Sequence, residues 1–364
     1  MRDTRHQLVW LLGIAGALLV VRYSLRALDM EYCLTQLTMA LYYSMVVLGL
    51  CLVMGYCGQV SLGHGAFFAI GGYTTAVLTT AHFDRLARSP IGGWLQDLHV
   101  LVARQDAFGH PAISFNPWAG FMAAMGLTAV IALLIGYPAL RLKGHYLAMA
   151  TLGFGLIVNK LVLGTAALGA ADGINGVPRW TLLPGLIVSG RSEHRVANFY
   201  IAAVLLLVVL WLLRNLVRSR IGRALLAIHD RETAANAMGI NTAGLKLKTF
   251  LLSALLAASA GVLFTHYTGG IGPSESGVMK SVRYLALTAA GGMANLWGAC
   301  VVSTLLNYLS LRGLFGTFDH AVFGVLLIVM ISVAPEGPLR PIGVWLRAQL
   351  LRCKPERRPS HGPA

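Results

Sequence analysis

Charge is scarce in this sequence. Only 12% of its 364 residues are Asp, Glu, Lys or Arg, against 56% hydrophobic; soluble domains carry about 25% charged residues. The deficit excludes an ordinary water-soluble domain. It leaves an integral membrane protein, long enough for several spans of about 20 residues each. Acidic residues are the rarer sign, 14 against 29 Lys and Arg, for a net charge of +15. In a soluble chain that balance would point to nucleic acid. Here it points to basic residues collected in cytoplasmic loops, and no nucleic-acid partner is expected. Cysteine is sparse too. Cys33, Cys51, Cys57, Cys300 and Cys353 form no CxxC pair, so neither a disulfide nor a zinc framework is legible. The first four lie in or beside apolar runs and read as small buried residues. No GxxxxGK followed by Ser or Thr occurs, so the chain has no P-loop of its own. Paired carboxylates, a His or Cys set at metal spacing, and a nucleophile beside a base are all missing. No catalytic or metal-binding residue is therefore assigned.

Long apolar runs are what the chain has in abundance. The segment MRDTRHQ followed by LVWLLGIAGALLVV looks like a signal peptide, but Arg22 follows it and no A-x-A site appears. It reads as an uncleaved first span. Ten spans are expected, at about 8–27, 33–54, 60–80, 119–140, 145–164, 198–213, 249–268, 281–293, 295–311 and 319–335. Gly291, Gly292 and Asn295 argue that 281–311 is broken into two pieces. Residues 214–248 hold seven basic and two acidic residues, the tail from Pro335 holds six and two, and Arg141 and Lys143 make a short basic turn. Residues 82–117 hold three of each sign. The positive-inside rule then places the basic segments and both termini in the cytoplasm and 82–117 outside. A single transmembrane domain over 1–335 follows, with a basic tail over 336–364. In the outer loops 82–117 and 165–197, Trp94, Trp118 and Trp180 are expected as interfacial anchors, with a docking surface for an external partner as the alternative.

Two stretches depart from plain spanning helix. Residues 55–77, GYCGQVSLGHGAFFAIGGYTTAV, mix glycines with Gln59, Ser61 and His64. At membrane depth, Gly permits close backbone approach or a broken helix. Irregular backbone survives there only if it is packed in protein or lines a wet cavity. The second stretch is the basic loop SRIGRALLAIHDRETAANAMGINTAGLKLKTF. Ile221, Leu225, Ile228, Ala235 and Met238 fall at helical spacing, so Gly222 and Gly239 bracket a helix of about four turns. Gly239-Ile-Asn-Thr reads as a helix stop followed by a new N-cap. The small residues Thr233, Ala234 and Ala235 favour a groove on a soluble partner over a lipid surface.

These residues resemble a known family. GYCGQVSLGHGAFFAIGGYTTAVL is similar to the signature of permease subunits of branched-chain amino acid ATP-binding cassette (ABC) importers, LivM type. GHYLAMATLGFGLIV, ADGINGVP, GRALLAIHDRETAANAMGINTAGLKLKTFLLSALLAASAGVLF and GPSESGVMKSVRYLALTAAGGMANLWGACVV match in order. The resemblance covers about residues 40–335. It implies an all-α polytopic membrane protein of about ten transmembrane helices with a Gly-rich broken segment. It implies a second related permease, two cytoplasmic ATP-binding subunits carrying ATP and Mg, and an external substrate-binding protein. It places the coupling region at 220–240, with Gly222, Arg223, Thr233, Ala234, Ala235 and Gly239 in contact with the ATPase. Where the related E-A-A-x-x-x-G motif has Glu, this chain has Thr233, with Glu232 one position earlier; a specific role for a carboxylate is thereby in doubt.

Gln59, Ser61, His64, Gly65 and Gly71 are the candidates for the translocation path. His64 is either functional, as intramembrane ionisable groups usually are, or satisfied by a neighbouring helix. Gln59 and Ser61 either bind a zwitterion or cross-link helices, the second being favoured. Asn159 and Lys160 could face a vestibule, with snorkelling of Lys160 preferred. His266 and Tyr267 lie near the outer end of the seventh span. Asp172 and Asn175 read as turn formers. Family members serve amino acids, urea or short amides; GQVSLGH, with Gln59 after Gly58, leans toward amino acids. An ion-coupled secondary transporter is the competing class, disfavoured because the carboxylates fall in loops or at span ends. A membrane enzyme is disfavoured for want of a catalytic constellation.

Overall fold

In a computed structural model, the described residues are 31–81, 83, 93–94, 96, 99–105, 111–139, 145–183 and 185–333, together with Gly13 and Gly16. The expected first span at 8–27, the Arg141–Lys143 turn, the tail from 336 and Cys353 lie outside the described residues, apart from those two glycines.

The molecule is built around α1 (Cys33–Cys51), which runs on into a π-helical turn at Leu52–Tyr56. This element is apolar on every face, and 94% of its most apolar window is buried. A helix hydrophobic all round belongs inside a ring of others. It packs against α5 (Arg195–Arg218), α8 (Thr242–Thr268), α9 (Val278–Gly291) and α10 (Leu296–Leu311). The helices α3 (Pro117–Ala139) and α4 (His145–Gly164) are also long and apolar, yet only 28% of their apolar windows is buried. They form the periphery, with Met122, Leu134, Tyr137, Met149 and Ile157 exposed.

The buried stripe of α3 explains how it attaches. Gly120, Ala124, Thr128, Ala132 and Gly136 recur every fourth residue. Such small-residue stripes let membrane helices approach closely. A Cβ on Gly120 would stand 2.9 Å from Thr75 Oγ1, on α2 (His64–Thr80), and one on Gly136 would stand 2.9 Å from Leu247 of α8. The crossing of α2 and α8 is also close. A Cβ on Gly71 would fall 2.3 Å from the Ala258 carbonyl oxygen, and one on Gly261 would fall 2.0 Å from that of Phe68.

Among the described residues, five helices are long and apolar enough to cross a membrane: α1 with its π turn, α3, α4, α5 and α8. This is a multi-pass membrane protein. The third expected span is shorter than 60–80, because helix begins only at His64. The Gly-rich break therefore precedes the helix rather than interrupting it. The sixth and seventh spans are longer than expected, since α5 and α8 continue into the basic loop. Residues 281–311 do split, at Gly292–Asn295, where Gly292 takes φ +92° and Asn295 caps α10 by accepting from the Gly298 amide. The last helix among the described residues is α11 (Asp319–Val333). Four described cysteines, Cys33, Cys51, Cys57 and Cys300, are buried and free.

The connections are not purely helical. β1 (Leu101–Gln105) pairs antiparallel with β2 (Pro111–Phe115), β3 (Ile174–Asn175) with β6 (Gly270–Ile271), and β4 (Trp180–Leu183) with β5 (Leu186–Val188). Backbone groups outside the helices still need partners, and these short ladders supply them. Trp180 is correspondingly no interfacial anchor. It is 2% exposed, with ring centroids 5.0 Å from Trp118, 5.4 Å from Phe121 and 5.2 Å from His266. Trp94 and Trp118 stay exposed.

Candidate functional site

The Gly-rich stretch turns the chain between α1 and α2. Helix stops at Cys57, Gly58 takes φ +69°, a left-handed conformation that Gly adopts freely, and helix resumes at His64. The π turn is fixed on one side by the α9–α10 break. Cys51 Sγ donates to the Met293 carbonyl and Tyr56 OH to that of Ala294, at 2.7 Å. Two interrupted segments thus pack on each other. Where transporter helices break is where packing can change between states.

His64 is 1% exposed and both ring nitrogens are occupied. Nδ1 lies 3.2 Å from Ser61 Oγ and Nε2 lies 2.7 Å from Ser253 Oγ on α8. The imidazole thus ties the turn to α8. Gly65 donates its amide to Ser281 Oγ of α9 at 3.1 Å. Gly71 is a close-contact position against α8, as described above. Of the five candidates, Gln59 alone remains open. It is 4% exposed, its backbone N–H donates to the Val53 carbonyl, and neither side-chain polar atom has a partner among the described residues. A buried amide without partners costs stability. Gln59→Met should therefore raise the melting temperature of the protein, by about 1 kcal/mol equivalent, while lowering transport if the amide serves substrate. Thermal melting beside an uptake assay reads both.

The basic loop forms two helices rather than one of four turns. α6 (Arg220–Asp230) starts at Ser219, whose hydroxyl accepts from the Ile221 amide. Arg231 is extended, with φ −151° and ψ 98°, and α7 (Glu232–Ala237) follows. Gly222 sits where a Cβ would fall 1.9 Å from the Val217 carbonyl oxygen, so the corner from α5 into α6 requires Gly. The stop is a Schellman motif: the Ile240 amide donates to the Ala235 carbonyl and Gly239, at φ +80°, to that of Asn236. Asn241 then caps α8 by accepting from the Gly244 amide at 2.9 Å.

The faces differ from the expected stripe. Gly222, Leu225, Ile228 and Ala235 are buried, but Ile221 is exposed and Met238 is 83% exposed. Arg223, Thr233 and Ala234 are also exposed, so of the six coupling candidates Gly222 and Ala235 belong to the loop's interior. Sequence spacing could not foresee the kink at Arg231, which rotates α7 relative to α6.

Among the contacts that join this loop to the membrane core, two are not legible from spacing. A Cβ on Gly58 would stand 3.0 Å from His229 Nδ1 on α6. Glu232 pairs with Lys246 of α8 at 2.6 Å, the lysine side chain being 10% exposed. The carboxylate left in doubt by Thr233 thus pins α7 to α8. Seven residues further along α8, Ser253 holds His64. Replacing Glu232 by Ala would strand a largely buried ammonium. We expect a loss of about 1–2 kcal/mol, less than the 3–5 kcal/mol of fully buried pairs, with recovery in the Glu232→Ala, Lys246→Met double variant. Melting curves of the three proteins check it.

Elsewhere, Asn159 does not stand free. Its Nδ2 donates to Ser276 Oγ at 2.9 Å, tying α4 to the Pro273–Ser276 turn. Lys160 is exposed. His266 lies between Thr75 Oγ1 and the Pro178 carbonyl. Among the described residues no group of three His, Cys, Asp or Glu is placed to hold a metal.

The chain is similar to known proteins over most of its length. The family model described as branched-chain amino acid transport system, permease component, matches residues 32–333. The chain is 32% identical over 324 residues to the high-affinity branched-chain amino acid transport system permease protein LivM of Escherichia coli K12, covering 83% of this chain and 68% of that one. It is 26% identical over 318 residues to LivH of the same organism, covering 83% and 92%. It is 25% identical over 331 residues to a probable LivM of Methanocaldococcus jannaschii, again covering 83% and 92%. No solved structure matches significantly. Since the match runs from the start of α1 to the end of α11 and takes in both the Gly-rich turn and the loop helices, the chain belongs to the branched-chain amino acid transport permease family.

Proposed function

We propose that this chain is the permease subunit of an ATP-binding cassette importer for branched-chain or related amino acids, forming half of the translocation path. The observation that carries this reading is the wiring of α6 and α7 to the Gly-rich turn, through His229 against Gly58 and Glu232 on Lys246. A force applied to the exposed side of the loop would reach the break in the membrane core. The exposed small residues Thr233 and Ala234 beside Met238 offer a knob that a partner's groove can accept.

The remaining parts follow from that role. Two cytoplasmic ATP-binding subunits, holding ATP and Mg, drive the cycle. A second related permease completes the path; similarity to both LivM and LivH of one organism supports such a pair. An external binding protein delivers substrate and sets much of the selectivity. The protein sits in the cytoplasmic membrane of a bacterium or archaeon. The basic loop and both termini face the cytoplasm, and ten spans satisfy the charge pattern.

Reconstitution in liposomes is the test. Uptake should require ATP and the partner subunits, and gradient-driven uptake by this chain alone would make it a secondary transporter instead. Ala234→Glu should lower ATP-driven uptake at least tenfold with membrane insertion and melting temperature unchanged, because the residue is exposed. The same charge at Ala235, which is 3% exposed, should unfold the loop itself. Normal ATPase association and uptake in Ala234→Glu would remove the coupling role.

A further inference from the structure

At the end of α8 opposite the basic loop lies a cavity of about 260 Å³. It is created by the β3–β6 pairing, which sets Asn175 against Gly270 and so brings the 172–175 turn beside the Pro273–Ser276 turn. Asp172, Asn175, Thr268, Ser274 and Glu275 supply its polar lining, and Phe264 and Ile271 its apolar wall.

Glu275 is the unusual group. It is 7% exposed, and its Oε1 accepts from Lys280 Nζ at 2.9 Å and from Tyr43 OH at 3.1 Å. Its Oε2 is buried with no partner among the described residues. Buried carboxylate oxygens are almost always satisfied, and an ionised carboxylate can only accept. The missing partner is therefore a donor. Charge points the same way: Glu275 and Asp172 line the cavity, and Lys280 offsets only one of them. Arg283, nearby on α9, is already paired with Asp319 at 2.7 Å. One negative charge is left over beside an apolar wall.

We infer that this cavity binds a primary ammonium carried on a short aliphatic chain, with the ammonium between Glu275 and Asp172 and the chain against Phe264 and Ile271. Under the function proposed above, on which this assignment rests, the ligand is the α-amino end of a branched-chain amino acid at the outer mouth of the path. The volume, just below the usual range of about 300–1,000 Å³ for ligand sites, suits only a small metabolite. Asp172 is then a ligand as well as a turn former.

The test uses the full-length chain in lipid nanodiscs, titrated calorimetrically with 3-methylbutylamine, L-leucine and 4-methyl-2-oxopentanoate, the keto acid lacking the amine. Both amines should bind, and the keto acid should bind at least tenfold more weakly. Glu275→Gln should weaken amine binding at least tenfold. That variant also deprives Lys280 of its ion partner, so Asp172→Asn, at an exposed position, is the second arm. It should weaken amine binding several-fold without changing the melting temperature. Equal binding of keto acid and L-leucine, wild-type affinity in Asp172→Asn, or no amine binding would each overturn the site. Uptake assays of the assembled transporter separate the two ideas. Amine binding without amino acid uptake leaves the site standing and removes the importer assignment. Amino acid uptake without amine binding does the reverse.

Discussion

Gly71→Ala should abolish transport and lower stability by about 2–3 kcal/mol, the upper part of the overpacking range. The added Cβ would stand 2.3 Å from the Ala258 carbonyl oxygen, 2.7 Å from its Cα and 2.8 Å from its carbonyl carbon. All three atoms are backbone, so no rotamer change relieves the clash, and α2 and α8 must separate. Separation would stretch the 2.7 Å contact from His64 to Ser253 and open the Gly72 and Gly261 crossing as well. The effect should therefore spread beyond one residue. Gly126→Ala on α3 is the control, because nothing stands within 4 Å of its Cβ position. There the substitution should be neutral or stabilise by up to about 1 kcal/mol, as Ala is the better helix former. Thermal melting of both variants, with uptake measured in parallel, decides the matter. Equal melting temperatures would show that the α2–α8 crossing accommodates a methyl group and does not depend on Gly71.

The second large effect belongs to His64→Ala. The variant removes a fully buried imidazole, leaves the Ser253 hydroxyl without its partner across the helix interface, and opens a cavity beside Phe67 and Phe250. Truncation of large buried side chains to Ala costs about 2–5 kcal/mol. Hydrogen bonds between membrane helices add only about 0.6 kcal/mol on average, so packing dominates. The expected signature is a fall in melting temperature and in maximal uptake, with the substrate concentration for half-maximal uptake unchanged. A selective change in that concentration, at an unaltered melting temperature, would instead mean that His64 touches substrate. Ser253→Ala should show the same pattern at a smaller size, since it loses the hydrogen bond but little volume.

Both results bear on how the loop and the membrane core communicate. Glu232 and Lys246 hold α7 to the first turns of α8, and Ser253 holds His64 two turns further along. A displacement of α7 would be carried by α8 to the entry of α2. The parallel contact between His229 and Gly58 reaches the same turn from α6. The Gly-rich turn is thus contacted from two sides by the helices of the basic loop and by α8.

Composition and apolar runs alone determined that the protein lies in a membrane, because a chain with so little charge and so many long apolar runs cannot cover its apolar surface with polar groups in water. The motifs 55–77 and 220–248 named the family, and Gly239 with Asn241 announced a helix stop and a cap, because both depend on local backbone chemistry. The division of 281–311 was legible for the same reason. Tertiary structure decided the rest. Trp180 is interior because α3 and the β4–β5 hairpin close over it, and no pattern within its own loop records that. The break at Arg231 turns Met238 outward and Ala235 inward, which a single helical repeat across 221–238 does not describe. His64 became a cross-link only when Ser253, 189 residues away in sequence, was placed 2.7 Å from it. Asp172 and Glu275 share one cavity because two short strands pair across a helix. Sequence periodicity reports which face is apolar; which distant residue fills the space opposite depends on helix crossings that only the folded chain fixes.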